Sequence, residues 1–83
     1  MYYCVKKVGK TRVPEKPYLM YTMGGHSWAD KSYAYKFNCL DFANQARIDL
    51  VKRGFDVFIE WHDESKNPKH GAFGEVNPIA LKN

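Results

Sequence analysis

The stretch 38–62, NCLDFANQARIDLVKRGFDVFIEWH, contains the clearest helix signal and the clearest strand signal of this 83-residue chain. Apolar and small residues recur at spacings of three and four in its first half, which places them on one face of a helix over residues 39–53. Asn38 is a favourable N-cap, and Gly54 follows a basic last turn, where glycine commonly ends a helix. We therefore predict one amphipathic helix between these two residues.

The second half of the stretch predicts a strand over residues 55–62. Large apolar residues alternate there with mainly polar ones: Phe55, Val57, Ile59 and Trp61. This period of two places the four side chains on one face of a strand. Because only Gly54 separates the helix from this strand, the two elements must run in opposite directions. The sequence leaves open whether the strand lies at an edge of its sheet or inside it.

Three further strands are predicted upstream of the helix. Residues 2–8 alternate and are rich in aromatic and β-branched residues, and residues 32–37 alternate in the same way. Residues 18–23, YLMYTM, are apolar on both faces, which favours a strand but also fits a buried turn of helix. We expect the segments 18–23 and 32–37 to pair as a hairpin across a polar loop at residues 26–31, which follows a pair of glycines.

The order β-β-β-α-β indicates an α+β fold of two layers, in which one helix packs on one face of an antiparallel sheet of three to four strands. We expect the small helix residues Ala43 and Ala46 to approach the sheet closely. Their expected partners are three aromatic residues on one face of the third strand: Tyr33, Tyr35 and Phe37. At this length the chain should form a single domain, 1–83, in which residues 63–83 form a partly ordered tail.

Positive charge and tyrosine are concentrated in the first half of the chain. The chain carries 13 Lys and Arg against 9 Asp and Glu, and residues 1–38 contain seven of the basic residues but only two of the acidic ones. All six tyrosines lie within the first 35 residues. We therefore expect this half to stay free to meet a partner. The candidate binding residues are Lys6, Lys7, Lys10, Arg12, Lys16, Tyr18, Tyr21 and Trp28.

These features predict a small non-catalytic binding module that acts through protein–protein interaction, for instance a phage-type modulator or inhibitor of a larger enzyme. A domain of this size presents enough surface for such a contact but lacks the bulk for a deep pocket. The alternative is binding of RNA or single-stranded DNA through the basic, tyrosine-rich half, since rings stack on bases and cations follow phosphates. A homodimer formed through an uncapped strand fits either function.

No residue pattern in the chain points to catalysis or to a cofactor. The histidines and cysteines stand singly, whereas a zinc site needs ligand pairs close in sequence, so we expect no metal site. Glu60, His62 and Glu64 would share one face of an extended strand, as a weak divalent-ion site or as a solvated strand end. Cys39 stands where a helix begins, but a buried thiol that packs as a small apolar residue is the simpler interpretation. We expect no catalytic residue and no enzyme activity.

The sequence also indicates a cytoplasmic protein without a membrane segment. Its first residues, MYYCVKKVGK, lack the apolar run of a signal peptide, and no stretch approaches the roughly 20 apolar residues that cross a bilayer. Two cysteines without a signal peptide are typical of reduced thiols, although a single disulfide between Cys4 and Cys39 is the alternative.

Overall fold

The computed structural model describes residues 1–8, 16–63 and 72–76. In chain order the elements are β1 (Tyr2–Lys7), β2 (Tyr18–Thr22), β3 (Gly25–Ala29), a 3₁₀ turn (Lys31–Tyr33), α1 (Leu40–Lys52), β4 (Val57–Asp63) and β5 (Ala72–Glu75). The described strands form one antiparallel sheet in the order β3-β2-β1-β4-β5, and α1 packs on one face of it. The predicted α+β class is confirmed, and the sheet has five strands rather than three to four.

Helix α1 lies within one residue of its predicted bounds at each end, but its N-cap is Cys39 and not Asn38. The reason is the chain just before it, where Phe37 exchanges two backbone hydrogen bonds of 2.8 Å with Tyr3. This pairing keeps the chain extended up to the residue that caps the helix. At the other end Gly54 adopts a φ of 96°, a left-handed conformation that glycine reaches without a steric penalty, and the chain then enters β4.

The hydrophobic core lies between α1 and the strands β1 and β4. The helix contributes three buried residues to it, and the sheet side contributes the remainder. The core residues are Val5, Leu19, Phe37, Ala43, Ala46, Leu50, Val57 and Ile59. The prediction that Tyr33 and Tyr35 pack under the helix is wrong, because these side chains are 68% and 47% exposed, and only Phe37 of the three rings is in the core.

The predicted loop at residues 26–31 is largely the strand β3, so that prediction is wrong. β2 and β3 pair directly, with Thr22 opposite Gly25, and Gly25 adopts a φ of 114° that favours glycine. The hairpin therefore closes over two residues instead of a long loop. Its register sets Leu19 opposite Trp28, which places the tryptophan on the helix-facing side of the sheet.

Residues 32–37, predicted as the third strand, form the end of the 3₁₀ turn and an extended segment instead. Asp30 starts the turn by accepting hydrogen bonds from the backbone N–H and the hydroxyl of Ser32, at 3.1 and 2.6 Å. Further on, the Tyr35 N–H donates to the Leu19 carbonyl at 2.9 Å. Since β1 and β2 pair only at the Lys6 end of β1, this segment fills the gap between the two strands.

Part of the predicted tail forms the edge strand β5, which pairs with β4 through four residue pairs. Gly74 lies opposite Trp61, and a Cβ atom at Gly74 would come within 3.0 Å of the indole. The lack of a side chain lets β5 lie against this ring. Residues 64–71 and 77–83, the remainder of the predicted tail, are outside the described part of the chain.

Candidate functional site

The two lysines of β1 that were predicted to bind a partner point to opposite faces of the sheet, because strand residues alternate. The Lys6 Nζ lies 3.6 Å from the Glu60 carboxylate on the face without the helix. The Lys7 Nζ lies 4.2 Å from the centroid of the Trp28 ring on the helix-facing side. Two other predicted residues lie outside the described part of the chain: Lys10 and Arg12. The described lysines of β1 therefore do not form one basic surface.

The four remaining candidate residues also separate. Lys16 is exposed, and the Tyr21 ring is 47% exposed. Trp28 is half-buried against the core, with its ring 5.3 Å from that of Phe55. The expectation that Tyr18 is exposed is wrong, because its side chain is buried on the helix-free face. Of these four, only Lys16 and Tyr21 are exposed.

Tyr18 belongs to a buried polar network centred on Glu60. The Tyr18 hydroxyl donates to Glu60 Oε1 at 2.8 Å, and the His62 Nε2 lies 2.8 Å from the same oxygen. Lys6 approaches the second carboxylate oxygen. Glu60 and His62 share a strand face as predicted. Both side chains are buried, so the interpretation of this segment as a solvated strand end is wrong. Within the described ranges, no three His, Cys, Asp or Glu side chains are placed to hold a metal ion.

The imidazole of His62 is stacked between two aromatic rings on the same face. Tyr2 lies 5.0 Å away on one side and Phe73 5.8 Å away on the other, both nearly parallel to the imidazole. Lys36 lies over the Tyr2 ring at 4.9 Å and Lys31 over the Phe73 ring at 5.3 Å. These lysines and rings thus form cation–π contacts within the chain.

The two cysteines are not bonded to each other and lie in different surroundings. Cys4 is buried opposite Glu60, and burial, followed by the charge of that carboxylate, raises the pKa of the Cys4 thiol to about 11. Cys39 is half-buried at the start of α1. The environment of Cys4 is that of an inert packing residue, since the thiolate is the reactive form.

We expect iodoacetamide to modify Cys4 about a hundred times more slowly in the folded protein than in urea at about pH 8, because burial suppresses the thiolate. The rate is measured by mass spectrometry in the Cys39→Ser variant, which leaves Cys4 as the single thiol. Equal rates of modification in the folded and the unfolded protein would contradict this placement of Cys4.

A groove with exposed aromatic walls lies between α1 and the end of β2, and we call it the α1–β2 groove. Its volume is about 600 Å³. Tyr21 and Tyr35 line one side, both 47% exposed, and Phe42 lines the helix side at 70% exposure. Gln45 and Asp49 lie on the same side of the helix as Phe42, because residues three and seven positions apart share a helix face.

The sheet side of the groove is held by ring contacts and by the backbone. Tyr21 and Tyr35 meet edge to face with centroids 5.0 Å apart, and Tyr35 contacts the buried Phe37 ring at 4.7 Å. The hydrogen bond from Tyr35 to the Leu19 carbonyl fixes this segment against β2. The rings of Tyr21 and Tyr35 are therefore held by ring packing and by a backbone hydrogen bond, which together form a rigid base for the groove.

Asp49 brings a negative charge to the groove, where it also lines an adjoining cavity. Its carboxylate accepts a hydrogen bond from the Gln45 side chain at 3.4 Å. Burial raises the pKa of the Tyr21 hydroxyl, and the neighbouring Tyr35 and Asp49 raise it further. Lys36 also lines the groove, but its ammonium group lies over Tyr2, which belongs to the opposite face of the sheet.

Two of the groove residues lie in surroundings that differ from those predicted from the sequence. The sequence predicts Tyr35 beneath the helix, and it places Phe42 where it widens the apolar stripe of the predicted helix. Phe42 lies at the edge of the apolar helix face, between Ala46 on one side and Gln45 and Asp49 on the other. This boundary position was the available signal, and it fits a buried ring as well as an exposed one.

Comparison of the chain with protein-family models gave no match, and neither curated proteins nor solved structures gave one. Among the described residues, no helix has the length and apolar character needed to cross a membrane.

Proposed function

We propose that this chain is a non-catalytic binding module that acts through protein–protein interaction, with the α1–β2 groove as its interface. One observation carries the proposal, namely that three exposed aromatic side chains meet in a single groove: Tyr21, Tyr35 and Phe42. Aromatic residues dominate the energetic centres of protein interfaces because they bury much apolar area at a small cost in side-chain entropy. The rigid base of the groove lowers that cost further.

The charges around the rings favour a protein over a nucleic acid as the partner. Four lysines of the described residues lie over rings of this same chain or beside its own carboxylate: Lys6, Lys7, Lys31 and Lys36. Asp49 lines the groove, and its negative charge would repel a phosphate backbone. A module of this kind would act by covering about 800 Å² of a larger protein, such as an enzyme that it modulates.

Selection from a random-peptide library tests the proposal and does not require the partner to be identified first. We expect the selected peptides to share a consensus and to bind Tyr35→Ala about ten-fold more weakly than the wild-type protein, because that substitution removes an exposed interface ring. The matched control is Tyr33→Ala, which removes another exposed tyrosine two positions away and should change the affinity less than about two-fold.

Two results would contradict a protein-binding groove. The first is a set of selected peptides that bind Tyr35→Ala as tightly as the wild-type protein. The second is failure to select any consensus while a single-stranded oligonucleotide binds with a steep dependence on salt, which would support the nucleic-acid alternative.

A further inference from the structure

We propose that the α1–β2 groove binds an arginine side chain of the partner protein, an inference that rests on the proposed function. The groove combines aromatic rings with one carboxylate, that of Asp49. A guanidinium group matches this combination, since its plane stacks on aromatic faces and its fork of N–H donors pairs with a carboxylate. The three methylene groups of arginine would lie along the exposed rings of Tyr35 and Phe42.

The cationic side chains in the described part of the chain leave the Asp49 carboxylate without an ion pair. Among the described residues, no lysine or arginine lies within ion-pair distance of it. Arg53, the C-cap of α1, lines an adjoining cavity of about 470 Å³ together with Asp49, but it forms no ion pair with the carboxylate. The Lys36 ammonium lies over the Tyr2 ring instead. The hydrogen bond from Gln45 is long at 3.4 Å, so the carboxylate keeps acceptor capacity for a partner.

Arginine fits these surroundings better than lysine does. Both carry a positive charge on an apolar stem, but the ammonium of lysine is strongly hydrated and offers no planar face to a ring. Tyr21 and Tyr35 stand almost perpendicular to each other, with an interplanar angle of 87°. In this arrangement the edge of one ring points at the other, and a planar cation that stacks on an exposed ring face gains more than a compact ammonium does. Arginine is also enriched among the residues that dominate interface energies.

Titration with N-acetyl-arginine amide, followed by NMR of the ¹⁵N-labelled protein, tests this inference with a defined probe. We expect saturable shifts of the amide signals of Tyr21, Tyr35 and Asp49. The matched probe is N-acetyl-citrulline amide, which has nearly the same shape without the charge and should bind about five-fold more weakly, because a charge-assisted hydrogen bond is lost. N-acetyl-lysine amide should also bind more weakly than the arginine probe.

A substitution that removes the charge but keeps the shape of the side chain then distinguishes the contribution of the carboxylate to binding from that of the rings. In Asp49→Asn the preference for arginine over citrulline should fall to the smaller part that the rings supply through cation–π contacts, whereas Asp56→Asn, a change at another exposed aspartate, should leave the preference unchanged. Absence of saturable shifts at the groove, or an arginine preference that is undiminished in Asp49→Asn, would overturn the inference. Selected peptides that need Tyr35 but contain no arginine would also overturn it and leave the proposed function standing. Selected peptides that do not need Tyr35 would contradict the proposed function itself.

Discussion

Replacing Glu60 with alanine is expected to lower the free energy of unfolding by about 3 kcal/mol, because it leaves buried partners without their carboxylate. The substitution removes the acceptor of the Tyr18 hydroxyl and the anion beside Lys6 and His62. Urea denaturation followed by tryptophan fluorescence measures the loss. Tyr18→Phe removes one hydrogen bond from the same network and should cost only about 1 kcal/mol.

Glu75 provides the matched control for this substitution, since it lies directly opposite Glu60 on β5 but is exposed. Glu75→Ala should change the free energy of unfolding by less than about 0.5 kcal/mol, as is usual for an exposed position. Similar losses for Glu60→Ala and Glu75→Ala would show that the network on the helix-free face does not stabilise the fold.

The helix and the strand that follows it could be predicted from the sequence because both are long and strongly periodic. The residues of α1 that enter the core, Ala43, Ala46 and Leu50, are the ones that the spacing of three and four places on one face. Ile59 lies at the centre of the alternating strand and is fully buried. In these segments the local pattern and the tertiary contacts agree.

The middle of the chain was predicted incorrectly because residues 26–31 follow two glycines and are polar apart from one large apolar residue, Trp28, which is typical of a loop. The alternating aromatic residues of 32–37 favoured that segment as the strand instead. The glycine pair after β2 was the decisive local signal, since a two-residue turn brings the next segment straight back beside β2. The choice also depends on long-range pairing with Leu19, which places Trp28 against the core and leaves Tyr35 at the surface.

The buried network and the groove could not be derived from local patterns. Alternation predicts that Glu60 and His62 face water, and only contacts from distant strands make their burial tolerable. The groove forms because Tyr21 and Tyr35, fourteen positions apart, meet beside the side of α1 that carries Phe42. Contacts between residues this far apart in sequence follow from the tertiary structure and not from the composition of any one segment.

Removing the Phe42 ring is expected to weaken binding of the selected peptides about thirty-fold, the typical cost of truncating a dominant interface residue. Phe42 is the most exposed of the three groove rings. Phe42 lies on a regular helix, so its ring can be buried by a partner without the entropic cost of ordering a loop of this chain. Alanine is a better helix former than phenylalanine, so the variant should fold.

Isothermal titration of one selected peptide into Phe42→Ala and Phe73→Ala tests binding at the α1–β2 groove most directly. The two phenylalanines are similarly exposed, at 70% and 62%, but Phe73 stacks on His62 on the opposite face of the sheet. We predict a loss of about thirty-fold for Phe42→Ala and of less than about two-fold for Phe73→Ala. Equal losses, or a larger loss for Phe73→Ala, would contradict the groove as the interface.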